Sequence, residues 1–329
     1  MLFWSKHVNE DISLSWVNSP CSGCGSLEAI PLFKGRDLLM DLPGCFQLVQ
    51  CSQCGLIRQN PRLRWESLKN YYPQDYSPYT KIIATERSAT RRFDRRYGMW
   101  KRLRTLSQFR SGGRLLDVGC GTGVFLGEAL RSGQWELIGV EPSPVAAEYC
   151  RNTLKIPVLA QRFDEADLPD GHFDVITMWN VLEHLYSPIE DLNHAHRLLQ
   201  PGGWLVLSIP NVDGIGAKMF GPYWMGWDLP RHLYLFPQKR LRQILEELGF
   251  AWAGTRCIAG GHSSLELSIE FLLKAKNLDN RFMHFLLYLF RSLPARLLFS
   301  PFFFLLDHFR QSSLITVFAQ KKTVMDAHD

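Results

Sequence analysis

The sequence predicts an α/β fold in which a mostly parallel sheet is covered by helices on both faces and preceded by a small metal-bound ribbon. Three observations carry this expectation. From Arg114 onward, short apolar runs alternate with amphipathic segments, the order that a parallel sheet with crossover helices requires. The first run, Leu115, Leu116 and Val118, ends in a loop with Gly119, Gly121 and Gly123 at every second position, followed by an apolar helix start. Ahead of it lie two Cys-x-x-Cys pairs. At 329 residues, 46% of them hydrophobic, the chain can bury a sizeable core and is not a disordered polymer.

Taken in order, the first ten residues lack the charged-then-apolar layout of a secretory signal. Cys21-x-x-Cys24-Gly25 and Cys51-x-x-Cys54-Gly55 follow, separated by twenty-six residues. Two-residue spacing lets both sulfurs of a turn reach one ion, and two such turns supply the four thiolates of a closed, structural zinc site. Two unconnected reduced pairs or an iron–sulfur centre are the alternatives, and Cys45 reads as a buried cysteine. Eight cysteines used this way fit a reducing, cytoplasmic compartment. The spacer is apolar and carries only Lys34 and Arg36, so it lacks the basic stripe of a nucleic-acid reader. Residues 1–60 are therefore expected to form a scaffolding ribbon.

Residues 61–110 read as a linker and a basic amphipathic helix. Pro61, Pro73 and Pro78 interrupt regular structure between Asn60 and Thr80. Tyr71, Tyr72 and Tyr76 there would either border a ligand entrance or simply pack. From Glu86 to Gln108, Arg87, Arg91, Arg92, Arg95, Arg96, Lys101, Arg102 and Arg104 make a basic face. Phe93, Tyr97, Trp100, Leu103 and Leu106 at three- and four-residue steps make an apolar one. A solvated face, an anionic membrane surface or a phosphate-bearing acceptor would each suit the arginines.

Residues 111–329 carry the α/β alternation. Strands are expected over 114–120, 136–141, 157–160, 173–180 and 203–209, with helices over 124–131, 144–152, 189–199 and 238–248. Two late strands, 251–259 and 314–320, flank an apolar insertion over 262–312. Its two hydrophobic runs fall short of the ~20 residues that span a bilayer, and Arg291, Pro294, Arg296 and Pro301 interrupt them. A cap over the site, a dimer face and a monotopic helix pair are the readings open to it. Glu141 ends the second strand, at the spacing of a ribose-binding carboxylate after a glycine loop.

The stretch Leu115-Leu-Asp-Val-Gly-Cys-Gly-Thr-Gly123 resembles motif I of the class I S-adenosylmethionine (SAM)-dependent methyltransferases. The resemblance extends to Phe173–Leu185 with its Glu-His-Leu ending, to Pro201-Gly202-Gly203, and to Pro230-Arg-His-Leu-Tyr-Leu-Phe236. With the cysteine pairs, Asn60-Pro-Arg62 and Tyr71-Tyr-Pro73, the layout is similar to a zinc-ribbon-bearing branch related to the ubiquinone-type O-methyltransferases. It implies a Rossmann-like class I sheet with an antiparallel edge strand. It further implies that the backbone from Gly119 through Cys120 and Gly121 to Gly123 packs on the donor, that Asp117 braces this loop, and that Glu141 takes the ribose hydroxyls. Asp164, with Glu165 as the alternative, is assigned to adenine, and Trp179 and Asn180 to the methyl-donor pocket.

The sulfonium of SAM already activates its methyl group, so the protein's tasks are alignment, exclusion of water and removal of the acceptor's proton. His232 and His184 are the candidate bases, each with a purely structural alternative, because imidazole accepts a proton near neutral pH. The expectation is O-methylation of a small, sugar- or lipid-linked acceptor, with SAM and structural zinc as cofactors and contact with an inner membrane face. Nucleic acid is not expected as a partner. The rival readings are C-methylation of a nucleotide sugar, RNA methylation, and a non-catalytic, membrane-docked protein that keeps the fold.

Overall fold

The computed structural model describes residues 14–73, 89–258, 261–278, 281–290 and 292–323. Expectations resting on residues 1–13, Tyr76, Pro78, Arg87 and Arg291 lie outside these segments. In the ribbon, β1 (Trp16–Val17) pairs with β5 (Arg62–Leu63), while β2 (Ala29–Gly35), β3 (Phe46–Cys51) and β4 (Ile57–Gln59) form an antiparallel meander. A short helix α1 (Trp65–Leu68) and the basic helix α2 (Ala89–Leu106) follow.

The α/β part begins with β6 (Gly113–Val118), α3 (Val124–Ser132), β7 (Trp135–Val140), α4 (Pro144–Tyr149) and β8 (Val158–Leu159). It continues with β9 (Phe173–Trp179), α5 (Pro188–Leu198), β10 (Leu199–Pro210), α6 (Ile215–Phe220), β11 (Tyr234–Leu235), α7 (Gln238–Glu247) and β12 (Phe250–Arg256). Helices α8 (Gly261–Ala275), α9 (Arg281–Phe290) and α10 (Leu293–His308) precede the last strand, β13 (Leu314–Lys321).

Seven strands form the main sheet in the order β12-β13-β10-β9-β6-β7-β8. The pairs β8–β7, β7–β6, β6–β9 and β9–β10 are parallel, as the alternation predicts. The antiparallel strand is β13, hydrogen-bonded between β10 and β12. Central strand β9 is buried on both faces except at Trp179, which is why it reads as a continuous apolar run. Local chemistry sets the helix ends: Ser143 caps α4 with Pro144 at its first position, and Gly133, in a left-handed conformation, ends α3. This is the Rossmann-like class I methyltransferase architecture.

Four features depart from expectation. Cys45, expected to be buried, is exposed just before β3. The spacer between the cysteine pairs is a strand pair, yet Leu27, Ile30 and Leu32 on its β2 side are exposed: β2 is an edge strand, and Trp227 packs on Phe33 further along it, with centroids 5.1 Å apart. Among the described residues of α2 only Leu103 and Leu106 are buried, while Phe93 (68% exposed), Tyr97 and Trp100 leave the rest of the apolar stripe exposed. Finally, β11, from the Pro230–Phe236 segment, adds to β4 and completes the ribbon sheet as β11-β4-β3-β2. Ribbon residues Cys21, Phe46 and Leu48 belong to the same core as Leu116, Val118 and Ile176 of the main sheet.

Candidate active site

The glycine loop after β6 has Gly119, Gly121 and Gly123 all at positive φ, 66°, 55° and 76°. A side chain at 119 would strike Val181, and one at 123 would strike the Cys150 sulfur, so these positions need glycine both for conformation and for space. Glu141, at the end of β7, ties the loop down: its Oε2 accepts from Gly121 N at 2.8 Å and its Oε1 from Ser143 N at 2.8 Å. Each carboxylate oxygen keeps a second lone pair for a ligand hydroxyl. Burial raises the Glu141 pKa, and the two backbone donors oppose that rise.

Asp117 is buried beneath the loop and accepts from Thr177 Oγ1 at 2.6 Å. Burial pushes its pKa up to about 7; Thr177 and Arg102 pull it down, and Glu141 pushes it further up. Trp179 packs on Phe125 with ring centroids 5.0 Å apart, and its Nε1 is buried without a hydrogen-bond partner. Asn180 follows at φ 59°, held by its N–H to Ser208 O. Cys120 is buried beside Gly139, where an added methyl group would meet its sulfur at 2.6 Å. Asp164 lies in a groove with Asp167, Asp170, Glu190 and Asp191, its carboxylate gripped by Arg162 at 2.5 and 2.9 Å.

Two residues were missed, Arg102 and Asp37. Arg102 reads in sequence as part of a solvated basic face, but its guanidinium lies 4.6 Å over the Trp179 ring and interacts with Asp117. Burial brings its pKa down to about 10, and Asp117 opposes that fall. The signal was its position one residue before buried Leu103, at the end of α2 that docks on the sheet.

The two candidate bases lie together, with ring centroids 4.6 Å apart. His184 Nδ1 is 3.0 Å from Arg231 O, and His232 Nδ1 is 2.8 Å from Gly226 O. Carbonyls only accept, so each Nδ1 carries the proton and each Nε2 keeps its lone pair. Tyr72 Oη also reaches His184 Nδ1 at 3.1 Å. His232 Nε2 lies 3.9 Å from both Glu183 Oε1 and Asp228 Oδ2. Burial lowers both imidazoles, His184 down to about 3 with His232 adding to the effect.

Glu183 is fully buried, and neither of its carboxylate oxygens has a hydrogen-bond partner of normal geometry. Burial pushes its pKa up to about 8, while the nearby Asn180 amide works against the rise. Asp228 is the opposite case. Burial would raise it, but Arg231 and His232 hold it below the usual carboxylate range. Sequence reasoning missed Asp37 as well. It lies in the ribbon spacer, yet it clamps buried Arg231 with two bonds of 2.6 and 3.0 Å. The aromatic segment that carries His232 packs inward, with Trp224 and Trp227 edge-to-face at 5.2 Å.

In the ribbon, Gly25 N and Gly55 N donate to Cys21 O and Cys51 O, giving two copies of one turn with both glycines near φ 75°. The Cys21 and Cys54 sulfurs are 3.5 Å apart, as are those of Cys24 and Cys51, and all four lie within 4.8 Å of one another. A tetrahedral ion with ~2.3 Å bonds to sulfur needs edges of about 3.8 Å, so the four thiols fit zinc. Burial disfavours the Cys51 thiolate, but N–H groups of Cys54 and Gln53 outweigh it and bring the pKa down to about 6.

Residues 91–253 match the family model described as a methyltransferase domain. The domain belongs to the class I SAM-dependent methyltransferases. A tRNA U34 carboxymethyltransferase of Idiomarina loihiensis is 29% identical over 160 residues, 46% of this chain and 49% of its own. A ubiquinone biosynthesis O-methyltransferase of Methylococcus capsulatus is 35% identical over 107 residues, 31% of this chain and 45% of its own. The chain thus spans about half the length of the curated relatives it matches. A solved phosphoethanolamine N-methyltransferase from Haemonchus contortus aligns with a TM-score of 0.48 at 17% identity, over 81% of this chain and 62% of its own.

Proposed function

We propose that the chain is a SAM-dependent methyltransferase acting on a hydroxyl of a small, sugar- or lipid-linked acceptor, with His232 taking the hydroxyl proton. Both histidines keep a lone pair on Nε2, and the observation that carries the choice of base is Asp228, held below the usual carboxylate range 3.9 Å from His232 Nε2. In this reading SAM, held by the Gly119–Gly123 loop, Asp117, Glu141, Trp179 and Asn180, supplies an already activated methyl group. Arg102 suits an α-carboxylate, being a cation held over Trp179. His232 accepts the acceptor's proton at Nε2, and the resulting imidazolium gains from Asp228, which stays ionised 3.9 Å away. His184 donates an Nδ1–H hydrogen bond to Arg231 O and fixes the loop. Zinc on the four cysteines holds the ribbon.

Calorimetric titration of SAM, followed by methyl transfer to an extract of glycans and lipids read by mass spectrometry, tests the proposal. Absence of SAM binding would overturn it, and Glu141→Ala should weaken whatever binding is seen. RNA methylation is the second reading, favoured by the relatives named tRNA U34 carboxymethyltransferase. It requires an RNA affinity that falls steeply with salt.

A further inference from the structure

Helices α9 and α10 are both apolar and meet at a 68° bend, and no single helix among the described residues is long and apolar enough to cross a membrane. Their inner side is anchored on α8, where the His262 ring stacks on Phe290 at 4.4 Å and lies 5.4 Å from Phe303. Their outer side is bare. Phe282, Phe285 and Tyr288 on α9, and Leu298 (75% exposed), Phe304 and Leu305 on α10, face away from the protein. This exceeds the scattered exposed apolar residues of an ordinary surface.

The apolar hairpin is continuous with α2. Asp94 on α2 pairs with Arg296 on α10. Beside that joint, exposed Phe93, Tyr97 and Trp100 stack in a row, with centroids 6.1 and 5.6 Å apart. Arg104 lies 5.0 Å over Trp100 and Lys101 5.8 Å over Tyr97, while Arg92 and Arg96 are exposed on the same helix. The order is therefore an apolar wedge, an aromatic row and a cationic flank.

We infer that α9, α10 and the exposed stretch of α2 from Arg92 to Arg104 form one docking surface for an anionic lipid bilayer. The hairpin enters the acyl boundary, Tyr97 and Trp100 sit at headgroup depth, and the arginines meet lipid phosphates. The charge on the flank separates this occupant from a second copy of the chain. A two-fold dimer through the same surface would offer Arg92, Arg96 and Arg104 few acids, since α2, α9 and α10 carry Asp94, already paired with Arg296, and Asp307, bonded to Ser312, whereas phosphates neutralise them. The inference does not depend on the proposed activity, although a surface of this kind suits a lipid-linked acceptor.

Co-sedimentation of the full chain with vesicles tests it. The protein should pellet with phosphatidylcholine vesicles containing phosphatidylglycerol, and about tenfold less well with phosphatidylcholine alone or at high salt. Leu298→Glu with Phe304→Glu should abolish pelleting. Arg92→Glu with Arg96→Glu should remove the preference for anionic lipid while leaving SAM binding intact. Brominated lipid should quench tryptophan emission of the unmutated chain, and less so with Trp100→Phe, a readout that does not depend on how the charge variants fold. Failure of the unmutated chain to pellet with anionic vesicles would overturn the inference. So would vesicle-independent dimers that the Leu298→Glu, Phe304→Glu variant dissolves.

Discussion

Asp37 and Arg231 form a fully buried, two-bond ion pair across 194 residues of sequence. It joins the ribbon to the residue that precedes the candidate base. Arg231 also takes Asp228 at 2.7 Å and donates to Tyr71 O, so one guanidinium fixes three segments around His232. Removing one partner from such a pair leaves a charge buried and unpaired. Asp37→Ala should lower unfolding stability by about 3–5 kcal/mol, measured by denaturant titration. Any folded fraction should turn over more slowly at unchanged SAM affinity.

The base assignment predicts a split between catalysis and donor binding. His232→Gln should cut kcat by about 10²–10⁴-fold and leave SAM affinity within a factor of about two. Because burial lowers the His232 pKa, the imidazole is neutral at pH 7, so the acid limb of the kcat profile should fall below the ordinary histidine value of about 6.5. An acid limb above that value would contradict the assignment.

Glu183 makes the opposite demand. Its folded pKa of about 8 exceeds the ~4.3 of an unfolded chain, so folding takes up a proton between those values. Its contribution is fully present below about pH 4 and is lost as pH rises to about 8. Glu183→Gln removes the ionisation, so the variant should gain on the unmutated chain as pH rises. Near pH 9 it should be the more stable by about 1–3 kcal/mol, seen as a flatter plot of denaturation midpoint against pH.

Arg102 offers a test of the cofactor cradle that the motif alone did not suggest. Arg102→Ala should weaken SAM binding about tenfold or more by calorimetry, with Arg102→Lys restoring only part, because a lysine cannot lie flat on Trp179. If SAM lacking its carboxylate loses nothing further in the variant, the two groups meet.

The ribbon should hold one zinc per chain by elemental analysis. Cys51→Ser should reduce that content and lower the melting temperature, since metal binding in such modules is folding free energy, on the order of 10 kcal/mol in finger peptides. Retention of full stability without metal would show that the strands alone suffice.

Much of this was written in short-range pattern. The Leu115–Gly123 run, Glu141 and the Cys-x-x-Cys turns are local devices whose geometry follows from neighbouring residues, and the structure forms the expected loop and turns there. What the sequence did not disclose is long-range. Asp37 sits in an apolar spacer with no local sign that its partner is Arg231, and Arg102 looks like any arginine on a charged helix. Phe93, Tyr97 and Trp100 have a core-like spacing, yet they are exposed, while Leu103 and Leu106 at the end of the same helix join the core. Periodicity tells which face is apolar, not whether anything lies opposite it.

The pairing of β11 with β4 has a consequence for biosynthesis. Gln59 reaches the carbonyls of Pro230 and His232, the first of them 171 residues further along the chain. At about 5–20 residues per second, a ribosome needs roughly 9–34 s to supply that partner. Until then the newly made ribbon carries one raw strand edge and an unmatched Asp37, so a factor that shields nascent β-edges should raise the yield of this chain more than its size alone would suggest.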